Sequence, residues 1–137
     1  MAAHPGLVDQ WRSLVTCYNT VACALDRALQ DAHGLTMSEF ETLDRLVEAG
    51  AAKRRVQEIA ADMYLSQSAL SRTIARLEKN GLVLRGMCES DRRGVFVSLT
   101  DEGRSRHAAA AVTHRAILGE HLTPADEPST EKAELIT

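Results

Sequence analysis

Six polar side chains lie within eleven residues in the middle of the chain, and their types suit hydrogen bonding to the edges of nucleic-acid bases. They are Ser66, Gln67, Ser68, Ser71, Arg72 and Arg76. A glutamine can pair bidentately with adenine and an arginine with guanine, each contributing about 1–3 kcal/mol of discrimination between bases. An ordinary helix with a polar, solvent-exposed face would carry the same residues, so the neighbouring elements must decide between the two interpretations.

The spacing of apolar residues predicts two short helices over residues 57–76, joined by Met63, Tyr64 and Leu65. Ser66 is a good N-cap for the second of these helices. Apolar side chains recur on its inner side, at Leu70, Ile74 and Leu77. The pair therefore predicts a helix-turn-helix, although Tyr64 stands in a turn where glycine is common.

A β-hairpin is predicted directly after these helices, with strands over residues 82–85 and 94–99 and a polar connection over residues 86–93. The connection ends in Asp91, Arg92 and Arg93. An arginine on a thin hairpin can enter the narrow minor groove of A·T-rich DNA, and a nearby aspartate can hold its guanidinium in position. This wing favours the DNA-binding interpretation of the polar helix face.

Three further helices complete the predicted fold. Apolar residues at steps of three and four, from Trp11 to Leu29, predict a long first helix over residues 7–31. A capping box at Thr36 and Glu39 begins the second helix, which ends at Gly50 and has an apolar side. That side consists of Phe40, Leu43, Leu46 and Val47. Lys53 to Arg55 are expected in a loop, either solvated or in contact with phosphate, and a fifth helix is expected over residues 100–121.

The composition is typical of one soluble globular domain. The 137 residues carry a net charge of −3, yet residues 53–93 contain nine Lys or Arg and five Asp or Glu. Because screening confines each charged patch to about 10 Å, this basic middle can attract phosphate groups.

Several classes of protein are not expected. The chain lacks an apolar run of membrane-spanning length and a secretory signal, so we expect a cytoplasmic protein. It also lacks a Gly-rich phosphate loop and the GxSxG and HExxH motifs, so neither an enzyme nor a cofactor is expected. The three cysteines, without a CxxC pair, argue against a disulfide framework or a zinc ribbon.

Three segments carry a resemblance to a known family. They are LTMSEFETLDRLVEAG (35–50), QEIAADMYLSQSALSRTIARLEKNGLVLR (57–85) and DRRGVFVSLTDEGR (91–104). The last is the most specific, with an acid and an arginine followed by a strand and then L-T-x-E-G. In this order the segments resemble the MarR family of bacterial transcriptional regulators.

The resemblance implies a homodimer whose recognition helices and wings straddle a pseudo-palindromic double-stranded DNA operator. It implies base contacts by the recognition helix, a minor-groove arginine at Arg93 and an orienting acid at Asp91. The matching recognition-helix positions are Ser66, Gln67, Ser68, Ser71 and Arg72. Many members release DNA when a small aromatic or phenolic compound binds, so a ligand-responsive repressor is expected.

The expected organisation is mainly helical, in one integrated domain of three regions. Residues 1–34 are an N-terminal dimerisation helix, residues 35–99 a winged helix-turn-helix lobe, and residues 100–137 a C-terminal dimerisation helix with a short tail. Members of the family usually end in a long sixth helix. Only 13 residues follow Pro124 here, so either the dimer relies more on the first and fifth helices or it is weaker.

An effector pocket is expected among the first, second and fifth helices. Its candidate wall residues are Trp11, Cys17, Tyr18, Met37 and Phe40. The alternative for each aromatic residue is a place in the core or in the dimer interface.

The cysteines and histidines raise two other kinds of site. Cys17, Cys23 or Cys88 would make a redox-responsive regulator only if one thiol were accessible and acidic. His107, His114 and His121 recur every seven residues, about 10.5 Å apart along a helix, which is too far for one metal ion. We therefore expect solvated or dimer-interface histidines and no metal. A winged helix that binds protein instead of DNA remains the third alternative.

Overall fold

The computed structural model describes residues 5–50, 53–88 and 91–122, and for residues 5, 87, 88 and 91–94 it describes the backbone only. The elements are α1 (Pro5–His33), α2 (Met37–Ala49), β1 (Arg54–Arg55), α3 (Val56–Met63), α4 (Gln67–Lys79), β2 (Val83–Cys88), β3 (Asp91–Leu99) and α5 (Asp101–His121). The predicted fold class, mainly helical with a small antiparallel wing, is confirmed.

Local hydrogen bonds set the ends of the helices as predicted. At the start of α2, the Glu39 amide donates to the Thr36 hydroxyl over 3.0 Å, and the Glu39 carboxylate accepts from the Thr36 amide over 2.8 Å. This capping box satisfies two amides that the helix leaves unpaired. Gly50 ends α2 in the left-handed conformation, with φ 65°, which a residue without a Cβ adopts at little cost.

The core lies where α2, α3 and α4 meet the sheet and the C-terminal half of α1. Leu29, Leu43, Ile59 and Leu70 are fully buried there. Val47 was predicted on the buried side of α2, but it is 37% exposed. The prediction was wrong because Val47 lies in the last turn of α2, at the edge of the packed surface.

The sheet is larger than the sequence predicts. Its strand order is β1-β3-β2, with antiparallel pairing throughout. Most of the segment predicted as a polar connection lies in the two strands of the hairpin, since β2 continues to Cys88 and β3 begins at Asp91. The residues added to the strands, Gly-Met-Cys at 86–88 and Asp-Arg-Arg at 91–93, show no alternation of apolar and polar side chains, so the hydrophobic period of a strand does not mark them.

The predicted loop at Lys53 to Arg55 is also wrong in part, because Arg54 and Arg55 pair with Val97 and Phe96 of β3. Arg54 forms an ion pair with Asp62 of α3, 3.1 Å between Nη1 and Oδ2. Lys53 lies over the Phe96 ring, with Nζ 4.8 Å from its centroid. Two residues are too short for a hydrophobic period, so the sequence offers no signal for this strand.

Candidate nucleic-acid interface

Helix α4 has one buried and one exposed side. Leu70, Ile74 and Leu77 are fully buried, which fixes the helix against the core. The exposed side carries the predicted polar residues: Ser66, Gln67, Ser68 and Arg72 are exposed, and Ser71 is half-buried. Serine, glutamine and arginine are side chains that hydrogen-bond to base edges or phosphates. The exposed side therefore has the composition of a recognition surface.

The turn before α4 accommodates a tyrosine at a position where glycine is common. Tyr64 takes the left-handed conformation, with φ 56° and ψ 36°, and its side chain is 95% exposed. A non-glycine residue adopts this conformation at a cost of about 1–2 kcal/mol. The Tyr64 and Leu65 amides donate to Ala61 and Ala60 over 3.3 and 3.0 Å, and these bonds hold the turn.

The Ser66 hydroxyl then caps α4 by accepting from the Ala69 amide over 3.1 Å. This agrees with the predicted N-cap.

A basic groove lies where α3, α4 and the wing meet. It is lined by Arg55, Val56, Gln57, Gln67, Ser71, Arg85 and Val95. Gln67 and Ser71 were expected at a DNA contact, whereas Gln57 and Arg85 were not. Arg85 pairs with Glu78 of α4, 3.2 Å between Nη2 and Oε1. Its sequence signal was a lone cation in a short strand, which does not reveal that β2 places it beside α4.

Arg76 differs from Arg72, although both were predicted as outward-facing cations. The side chain of Arg72 is exposed and pairs with no other described residue. Arg76 is only half exposed and forms an ion pair with the buried Glu39 of α2, 3.0 Å between Nε and Oε2. The sequence does not show this pair because the partners are 37 residues apart.

The tip of the wing lies mostly outside the described residues. Cys88 and Asp91 face each other in the hairpin register. The side chains of Asp91, Arg92 and Arg93 are not described, so their contacts with DNA stay a prediction.

An open cavity of about 520 Å³ lies between α1, α2, α5 and the helix-turn-helix. Of the five residues predicted for an effector pocket, Tyr18 and Met37 line it. Trp11 and Cys17 lie on the exposed part of α1 instead. Tyr64 and Met63 also line the cavity, and the sequence had placed them in the turn without connecting them to a pocket.

Phe40 is in the core, 1% exposed, and does not line the cavity. Its ring stacks between His107 and His114 of α5, with centroid distances of 5.2 and 4.5 Å. His107 was expected to be solvated or in a dimer interface, but it is buried, with Nε2 2.8 Å from the Asp44 carboxylate. The prediction was wrong because the seven-residue spacing does not show that this face of α5 packs on α2.

The described part of the chain contains neither a metal site nor a disulfide bond. No group of three or more His, Cys, Asp or Glu side chains there is arranged to hold a metal ion. Cys17 and Cys23 are free and exposed on α1, and the Cys88 side chain is not described. Redox sensing through a cysteine stays a prediction.

Comparison with known proteins agrees with this geometry. A family model, the MarR family, matches residues 35–95. The chain is 32% identical over 107 residues to the HTH-type transcriptional repressor MdtR of Bacillus subtilis, covering 78% of this chain and 68% of that protein.

Two solved structures are also similar. A MarR family transcriptional regulator from Streptomyces coelicolor, in complex with DNA, is 35% identical with a TM-score of 0.79, covering 99% of this chain and 86% of that chain. CouR from Rhodococcus jostii RHA1, bound to p-coumaroyl-CoA, is 26% identical with a TM-score of 0.78, covering 98% and 91%.

The fold and the exposed side of α4 define a winged helix-turn-helix DNA-binding protein. The chain belongs to the MarR family of transcriptional regulators, as its sequence predicted, and these are regulators and not enzymes. Among the described helices, none is long and apolar enough to cross a membrane.

Proposed function

We propose that the protein is a homodimeric repressor that binds a pseudo-palindromic operator and is released by a small aromatic or phenolic compound. The exposed side of α4 carries the proposal. It presents Gln67 and Arg72 to the major groove while Leu70 and Ile74 anchor the helix in the core. The relative MdtR is itself described as a repressor.

In this proposal the wing continues the contact beyond the major groove. Arg93 enters the adjacent minor groove, Asp91 orients it, and Arg92 contacts the backbone. Arg85, at the base of the wing and beside Gln67, adds a cation between the two contacts. Arginine is suited to both positions because its guanidinium binds phosphate bidentately and is attracted by narrow minor grooves.

The apolar face of α1 supports the homodimer. The N-terminal half of α1 exposes a continuous set of large apolar side chains, namely Leu7, Val8, Trp11, Leu14, Val15 and Tyr18. Soluble monomers rarely expose a contiguous apolar patch of this kind. A second copy would cover the patch with the same surface, as a two-fold axis requires.

The cavity supports the proposal that a small effector binds. It is lined by apolar and aromatic side chains such as Tyr18, Met37 and Tyr64, with Arg45 and Glu41 as charged groups at its wall. Its position next to Tyr64 places a bound compound in contact with the turn that leads into α4. The relative CouR was solved with p-coumaroyl-CoA, an aromatic acyl compound.

Selection of bound sequences from a random duplex pool tests the proposal. We expect a two-fold symmetric motif with half-sites about one helical turn apart. Affinity for that duplex should fall steeply with salt, and an effector should reduce it in the same assay. Salt-insensitive binding to another protein, with no enriched duplex, would favour the protein-interaction alternative. If thiol oxidation abolishes DNA binding by the protein but not by the Cys17→Ser variant, the redox alternative is favoured.

A further inference from the structure

The ion pair between Arg76 and Glu39 links the recognition helix to the start of α2. Arg76 Nε lies 3.0 Å from Glu39 Oε2, and the Glu39 side chain is 7% exposed. We propose that Arg76 is a positioning residue, which sets the orientation of α4 through Glu39, and that it does not act by contacting DNA phosphate. This inference rests on the DNA binding by α4 proposed above.

The carboxylate of Glu39 is held at a fixed position by the capping box. Its Oε1 accepts from the Thr36 amide over 2.8 Å, so only Oε2 faces Arg76. The Glu39 backbone is fixed in turn, because its amide donates to the Thr36 hydroxyl. Because Glu39 is buried and its Oε1 is bonded to the Thr36 amide, its carboxylate gives Arg76 a positioned partner on α2.

Arg76 is also held along its own helix. Its Nη2 lies 3.4 Å from the Thr73 hydroxyl, and that hydroxyl donates to the Ala69 carbonyl over 3.2 Å. The guanidinium therefore runs along one side of α4 towards α2. A charge-assisted hydrogen bond of this kind has a defined direction, whereas the apolar contacts of Leu70 and Leu77 are non-directional.

Base recognition requires that α4 be held in one orientation. Side chains that read base edges must be held within roughly 0.5 Å and 10–20° of their productive geometry. A rotation of α4 about its axis would move Gln67 and Arg72 together, because both lie on this helix. The Arg76–Glu39 pair joins α4 to α2 and opposes such a rotation.

The start of α2 is also connected to α1. The Met37 amide donates to Asp26 of α1 over 2.8 Å, so α1, the start of α2 and α4 are joined in series by polar contacts.

The test compares Glu39→Gln, Arg76→Gln and the double variant. Glutamine at position 39 keeps an acceptor for the Thr36 amide and removes the charge that faces Arg76. The affinity of each variant is measured by fluorescence anisotropy over a salt series. Two probes are used, the duplex enriched by selection and a random-sequence duplex of the same length. The temperature is one at which circular dichroism shows every variant folded.

A positioning role predicts that each single variant lowers affinity for the selected duplex roughly tenfold, which corresponds to about 1.4 kcal/mol. Affinity for the random duplex and the salt slope should not change. The double variant should be no weaker than the single ones, because both substitutions break one interaction. A change in stability alone would not alter the ratio of the two affinities.

A phosphate contact predicts a different pattern, which would overturn the inference. Arg76→Gln would then lower the salt slope by about 0.9 and weaken both duplexes, while Glu39→Gln would leave both affinities unchanged. If Glu39→Gln does not fold, the salt slope of Arg76→Gln decides by itself. Arg72→Ala is the control for direct contact, and if it has no effect on the selected duplex, the proposed DNA binding by α4 fails instead.

Discussion

Replacing Gly103 by alanine should destabilise the protein, although alanine is the better helix former. Gly103 lies in the first turn of α5, where its amide donates to the Thr100 hydroxyl over 2.9 Å. A Cβ added at this position would lie 2.0 Å from the Leu82 carbonyl oxygen and 3.0 Å from its carbon. These are backbone atoms, so the clash cannot be relieved by moving a side chain.

The size of the expected loss in stability follows from the displacement of the Leu82 carbonyl. The Leu82 carbonyl accepts a hydrogen bond from the Thr100 amide over 3.1 Å, and this bond joins the start of the wing to the start of α5. Displacing the carbonyl costs about 1–3 kcal/mol in strain and about 1 kcal/mol for the weakened hydrogen bond. The helix propensity of alanine returns at most about 1 kcal/mol. The net loss in free energy of unfolding should be about 2 kcal/mol.

Gly119→Ala is the matched control, because it makes the same substitution in the same helix. A Cβ at Gly119 would meet no atom within 4 Å, so this variant should gain up to about 1 kcal/mol. Urea unfolding followed by circular dichroism measures both variants. Equal stabilities for Gly103→Ala and Gly119→Ala would refute the argument from close approach. We further expect Gly103→Ala to weaken DNA binding, since it disturbs the junction of the wing and α5.

Three substitutions test the remaining surfaces. Trp11→Ser should raise the dimer dissociation constant at least about thirtyfold in sedimentation equilibrium, if Trp11 contributes the 2 kcal/mol or more of an interface hot spot; an unchanged constant would place the interface elsewhere. Arg72→Ala should abolish discrimination between the selected and the random duplex, and an equal loss for both would make Arg72 a phosphate contact. Arg93→Ala should weaken binding by about 1–3 kcal/mol at A·T-rich flanks while dimerisation persists, and unchanged affinity would show that the wing is not used.

Features that depend on residues within one turn of each other could be predicted from the sequence. The capping box at Thr36, the N-cap at Ser66 and the end of α2 at Gly50 involve bonds over three or four residues, and all three are present as predicted. The exposed side of α4 could also be predicted, because a helical period separates its apolar from its polar residues. The family resemblance rested on the same local patterns, and comparison confirmed it.

Several interactions near the site were missed because their partners are distant in the chain. Strand β1 has only two residues, and its pairing with β3 depends on how the wing folds back. The cavity combines residues of α1, α2 and α5 with Met63 and Tyr64 from the turn. Phe40 was expected at a ligand, but its place between His107 and His114 depends on the packing of α5 against α2.

The sequence by itself determined the order of the helices, the capped starts of α2 and α4, and which side chains α4 presents to solvent. These properties follow from backbone hydrogen bonds and hydrophobic periods that are local in the chain. The tertiary structure alone decided that Arg76 pairs with Glu39, that Arg85 lies beside Gln67, and which candidates reach the cavity. Such choices depend on the angles between packed elements, and no local pattern of residues encodes those angles.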